Sequence, residues 1–253
     1  MSVKLASTES EPRATYENEW KMRVDLAACY RLADRFGFSD IVWNHITARV
    51  PGPEKHFLIN RFGLRFDEVT ASSLIKLDQD GNVVDGAQEI NITGYVIHRG
   101  IHAARADIAC VMHSHSAAGL AVSALEEGLL PVIQDAMMFY NRLAYHDYEG
   151  LSTDTAESER LAASLGAHNA MILRNHGLLT AGGTVGEAFI RMYYLERACR
   201  AQIDALATGR ELRLPAPEVC EHAAQQYQHF PPGKYEWPAL LRLLDDQDPS
   251  YKT

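Results

Sequence analysis

The chain predicts one α/β domain in which helices flank a mixed sheet. Two observations carry this expectation. Segments with helical periodicity alternate with short apolar or β-branched runs along most of the 253 residues. The alternation lacks the regular strand–helix–strand rhythm that an all-parallel sheet requires. A composition of 47% hydrophobic and 23% charged residues is that of an ordinary globular protein, large enough for one sizeable core.

Residues 1–19, rich in Ser, Glu and Thr, read as a loose tail. From Trp20, "WKMRVDLAACYRLADRFG" spaces its apolar residues as a helix and stops at Gly37, a C-cap residue. "DIVWNHITARV" and "HFLINRFG" read as two strands separated by the "PGP" turn. "TASSLIKLDQDGNVVDG" suggests a short helix start and then a hairpin at Asp80-Gly81-Asn82. "TGYVIHRGIHAARAD" is helical, with Thr93 as its expected N-cap, and "IACVMHSH" follows as a buried strand. "SAAGLAVSALEEG" reads as a helix ending at Gly128. "NAMILRNHGLLTAGG" is strand, tight turn, strand, and a long amphipathic helix runs from Thr184 to just before Gly209. The domain therefore spans 20–210. Residues 211–253 form a C-terminal extension with one short helix, expected to pack on the domain or on a neighbouring subunit.

A net charge of -9 argues against a general grip on nucleic acid, which needs clustered Lys and Arg. No apolar run approaches the roughly 20 residues of a membrane span. The polar N-terminus lacks the apolar stretch of a secretory signal. Cys29, Cys110, Cys199 and Cys220 are far apart and read as reduced thiols of a cytoplasmic protein.

The chemistry sits in "VMHSHSAAG". In a strand, residues i and i+2 face the same side, so His113 and His115 can aim at one point. A catalytic metal site commonly uses three protein ligands and keeps a position open. His176, in the turn "LRNHGLL" beside Gly177, is the best third ligand. His98 and His102 have helical i, i+4 spacing, but Arg99 stands where a helix-borne metalloprotease places Glu. They read as packing or hydrogen bonding behind the site. His146 is expected to line the cleft. No GxSxG, P-loop or GxGxxG occurs, so serine nucleophile chemistry and nucleotide binding find no support.

Laid in order, "WNHITARV", "LINRFGLRFDEVTASSLIKLD", "GYVIHRGIHAARADIACVMHSHS" and "LRNHGLLTAGGTVGEAF" resemble the class II aldolase/adducin family, in its adducin-like branch. The resemblance runs from about Trp20 to about Ala205. It implies a three-layer α/β/α fold around a mostly antiparallel sheet, and a homo-oligomer, a tetramer by preference. It also implies that His113, His115 and His176 hold one divalent metal ion: zinc by family habit, with Fe(II), manganese or cobalt as alternatives.

The resemblance also exposes departures. The catalytic acid of the aldolases falls at Gly94, which has no side chain to move a proton. His98, His146 and Glu149 are the candidates to replace it. Asn44, Gly63 and Thr93 fit the family's phosphate-holding positions, but Phe62 and Ile92 stand where hydroxyl residues are expected. With Gly94 these positions frame the expected substrate site. The function implied is a metal-dependent lyase or isomerase acting on a small, non-phosphorylated hydroxy-carbonyl compound through a metal-stabilised enediolate. One alternative is a non-haem Fe(II) oxygenase acting on an aromatic 2-oxo or hydroxy acid. The other is a non-catalytic, adducin-like assembly module. The expected partner is a small-molecule substrate, with neither nucleic acid nor membrane.

Overall fold

The computed structural model describes residues 12–84 and 89–253. Seven strands form one sheet: β1 His45–Arg49, β2 Phe57–Ile59, β3 Ile75–Leu77, β4 Cys110–Ser114, β5 Ala144–His146, β6 Ala170–Leu173 and β7 Gly177–Gly182. Their spatial order is β3-β2-β1-β4-β7-β6-β5, and every pairing except β5–β6 is antiparallel. The helices are α1 Pro12–Arg35, α2 Ile92–Ala104, α3 Ala117–Ser123, α4 Thr155–Leu165, α5 Val185–Ala207, α6 Pro217–Tyr227 and α7 Glu236–Gln247.

Strand alternation explains the layering. Ile46, Ala48, Cys110, Met112 and Leu178 point to one face, where they pack in one core with residues of α1, α5 and α7. Val111, Leu179 and Ala181 point to the other face, against Ile97 and Ile101 of α2 and Leu161 and Leu165 of α4. The result is the expected α/β/α sandwich with a mixed, mostly antiparallel sheet. The four cysteines are free and buried.

Several elements differ from the sequence expectation. Helix α1 begins at Pro12, ahead of Trp20, so residues 12–19 of the expected tail are helical, and residues 1–11 lie outside the described residues. The cap of α2 is Asn91 rather than Thr93. The Asn91 Oδ1 accepts from the Thr93 backbone N–H at 3.1 Å and from the Thr93 hydroxyl at 2.7 Å. The helix start expected near Thr70 is a turn followed by β3. The hairpin turn does form: the Asp78 carboxylate accepts from the Asp80 and Asn82 backbones, yet a single bridge, Leu77 to Val83, continues the ladder. Helix α3 stops at Ser123, before Gly128. The unit β5–α4–β6 is a parallel crossover; the sequence reading assigned β6 but neither β5 nor α4. The extension holds two helices instead of one, and its last residues run back to the domain, where the Ala71 and Ser72 amides donate to the Tyr251 and Thr253 carbonyls at 2.9 Å.

Candidate metal centre and its cavity

His113 is the penultimate residue of β4, and His115 lies one residue past its end. The third histidine enters from the β6–β7 turn, which is closed by Asn175 at φ +55° and Gly177 at φ +145°. A side chain at Gly177 would meet the Ser114 carbonyl at 2.4 Å, so only glycine lets this turn close against β4. The ligand atoms of His113, His115 and His176 lie within 4.8 Å of one another.

Two of the rings are held in a definite tautomer. His113 Nδ1 donates to the Leu178 carbonyl at 3.0 Å, and His115 Nδ1 donates to the Asp40 carboxylate at 2.9 Å. Because both partners only accept, each neutral ring keeps its hydrogen on Nδ1 and presents a bare Nε2. Those two Nε2 atoms face each other at 2.9 Å. Two facing lone pairs repel unless a cation lies between them, so the donor set fits a divalent metal. Burial holds the His113 ring well below the ordinary histidine pKa, and burial with the neighbouring His115 and His146 lowers His176 to about 4. Both rings are thus neutral at physiological pH, the form that ligates.

A cavity of about 680 Å³ opens on these rings. Its wall is apolar where Trp43, Phe62, Ile92, Leu120, Tyr148 and Leu151 line it, and no Lys or Arg is among the described residues that line it. Trp43 and Phe62 pack at 5.5 Å between centroids. A second cavity of about 360 Å³ near α5 and α6 lacks such a cluster, and its Arg142 and Arg191 are paired with Glu221 and Glu187.

The remaining predicted residues are distributed unevenly. Thr93 lines the cavity. Asn44 is buried, its Oδ1 accepts from the His115 amide at 3.4 Å, and its Nδ2 has no partner. Gly63 is exposed in a turn at φ +91°. Gly94 lies buried beneath the ring of His45. His98 is wholly buried behind His45 and does not line the cavity. His146 on β5 meets Ser164 Oγ at 2.9 Å and leaves its Nε2 without a hydrogen bond. Glu149 is held by Arg160 at 2.9 Å on the surface, and this bond keeps its carboxyl below the usual range.

Sequence reasoning missed Asp40 and His45. His45 is the Cα partner of His113 in the β1–β4 ladder and lines the cavity, its ring 5.0 Å from that of His113. The alternation His45, Thr47, Arg49 was the available signal, since it places these three on the face opposite Ile46 and Ala48.

Fold and site together define a protein of the class II aldolase type. The family model "Class II Aldolase and Adducin N-terminal domain" matches residues 24–203. The chain belongs to that family. It is 48% identical over 239 residues to a class 2 aldolase-like protein of Caulobacter vibrioides, covering 93% of each chain. It is 39% identical to alpha-adducin of Rattus norvegicus over 255 residues, 94% of this chain and 35% of the adducin. An aldolase II superfamily protein from Pseudomonas syringae superposes with a TM-score of 0.89 at 48% identity, covering 93% of this chain and 96% of that one. The L-fuculose 1-phosphate aldolase from Glaciozyma antarctica superposes at 0.82 with 31% identity, covering 100% and 97%. No helix of the described residues is long and apolar enough to cross a membrane.

Proposed function

We propose that the protein is a divalent-metal-dependent lyase or isomerase acting on a small, non-phosphorylated hydroxy-carbonyl compound. The observation that carries this reading is the pair of bare Nε2 atoms on His113 and His115, each locked by an Nδ1 bond and joined by His176. A metal bound there, zinc by family precedent, would supply Lewis-acid polarisation of a carbonyl oxygen. The chain's own residues do the rest. Trp43, Phe62 and Ile92 present an apolar wall, and among the described residues lining the cavity none is a cation for a phosphate, while Thr93 lies at the cavity wall. This is where the chain departs from the sugar-phosphate substrate named for the Glaciozyma antarctica relative.

The test is metal analysis of untagged protein beside His176→Ala, followed by a screen of hydroxy-carbonyl compounds with and without phosphate. About one divalent ion per wild-type chain, lost in the variant, with anaerobic turnover of unphosphorylated compounds, is the expected result. Turnover that requires iron and consumes oxygen would overturn the lyase in favour of the oxygenase. Absence of bound metal in the wild type would overturn both and leave an assembly module.

A further inference from the structure

The face of α2 turned to β1 carries Gly94, His98 and His102, one per turn, opposite His45, Thr47 and Arg49 of the strand. Between these two rows runs an unbroken chain of polar contacts. His45 Nδ1 lies 3.1 Å from His98 Nε2, His98 Nδ1 lies 2.8 Å from Thr47 Oγ1, and Thr47 Oγ1 lies 2.8 Å from His102 Nε2. All four residues are buried. One end, His45, opens on the cavity above the metal-ligand cluster. The other end, His102, borders a separate cavity of about 210 Å³ with Arg49, Gln79 and Arg99, and its Nδ1 has no hydrogen-bond partner. Three buried imidazoles in series are costly to keep unless each is satisfied by the next, and only the terminal nitrogen is left over.

Gly94 belongs to the same device. A Cβ at that position would stand 2.8 Å from His45 Cγ. The ring occupies the space that any side chain at 94 would need, so the missing carboxylate and the presence of His45 are one steric fact.

We infer that His45 is the proton-transfer residue of the cavity, and that His98, Thr47 and His102 form a relay connecting it to the second cavity. The inference rests on the reading of the large cavity as the substrate site. In one polarity every ring carries its hydrogen on Nδ1, and Thr47 donates to His102. His45 Nε2 takes a proton from the substrate, whose bonding electron pair stays on the substrate. His45 Nδ1–H passes to His98 Nε2, His98 Nδ1–H to the threonine oxygen, the threonine hydrogen to His102 Nε2, and the buried His102 Nδ1–H to a water that enters from the far cavity when the ring swings toward it. One proton enters and one leaves. Every ring ends neutral in its other tautomer, and the reverse passage returns a proton to the product.

Two measurements test this. The first is ¹⁵N-histidine NMR of the zinc-loaded full chain at neutral pH. The relay requires His45, His98 and His102 to be neutral with hydrogen on the same nitrogen in all three: all Nδ1 or all Nε2. The merely structural arrangement, in which His98 Nδ1 and His102 Nε2 both donate to Thr47, gives a mixed set and would overturn it. The second follows C–H to C–D exchange of hydroxypyruvate, dihydroxyacetone and glycolaldehyde in D₂O. The expected loss is on the order of 10²-fold for His45→Asn and for Thr47→Val, with zinc content and half-saturation unchanged and with recovery in Thr47→Ser. Unaltered exchange in Thr47→Val overturns the relay. If the wild type exchanges none of these compounds, the substrate reading fails, and the NMR result alone decides the relay.

Discussion

Asp40 shows how much one residue outside the ligand set can carry. Its Oδ2 accepts from His115 Nδ1 at 2.9 Å, which fixes both the tautomer and the ring plane. Asp40→Asn keeps the size and removes the charge, so the bond weakens without a cavity forming. Zinc affinity is expected to fall about 10–100-fold, the usual cost of losing such an orienting partner. Competition against a fluorescent zinc indicator measures it, with far-ultraviolet circular dichroism expected to stay unchanged. Gly94→Ala is expected to act through shape, since its methyl must push the His45 ring and such overpacking costs about 1–3 kcal/mol. Urea unfolding of the metal-free variant reads that loss. The clustering of His113, His115 and His176 was legible because strand parity and a glycine turn are local signals. Asp40 was not, because its partner is 75 residues away and nothing in "FSDIVW" marks it.

Among the elements, α1 meets the sheet through the buried Tyr30 hydroxyl as well as through the Glu19–Lys76 pair to β3 at 3.1 Å. The Tyr30 oxygen accepts from the Ile46 amide at 2.8 Å and the Asn60 amide at 3.2 Å, and it also lies 2.8 Å from Asn60 Oδ1. All of these groups are buried, so Tyr30→Phe strands two backbone donors where water cannot reach them. The expected loss is about 1–3 kcal/mol, read as a lower urea midpoint with an unchanged slope. Long elements with a full apolar stripe, such as α5, could be read from sequence because periodicity accumulates over many turns. The β5–α4–β6 crossover could not. Three residues of β5 are too few for any alternation to appear, and its pairing partner β6 lies beyond an intervening helix. The onset of α2 was misplaced by two residues because Asn91 and Thr93 are both good caps, and only the folded geometry shows which oxygen accepts.

At the scale of the whole molecule, the histidine core makes stability depend on pH. His102 is buried and its pKa is lowered to about 3, mainly by burial and then by the Arg49 guanidinium. Burial also holds His45 and His98 well below the ordinary range, with neighbouring imidazoles adding to it. In the unfolded chain each returns to roughly 6.5. Between those values the unfolded state binds more protons than the folded one, so stability rises with pH. Their contribution is complete above about pH 6.5 and is lost as pH falls from there toward 3. Each such ring contributes a slope of about 1.4 kcal/mol per pH unit within its window. Metal-free protein unfolded in urea at a series of pH values from 7 to 4.5 is therefore expected to lose stability steeply. His102→Gln, which keeps a donor and an acceptor but cannot titrate, should show a slope shallower by about 1.4 kcal/mol per unit. Parallel slopes would mean that His102 takes up its proton in the folded state, and the dry, neutral interior drawn for α2 and β1 would be wrong.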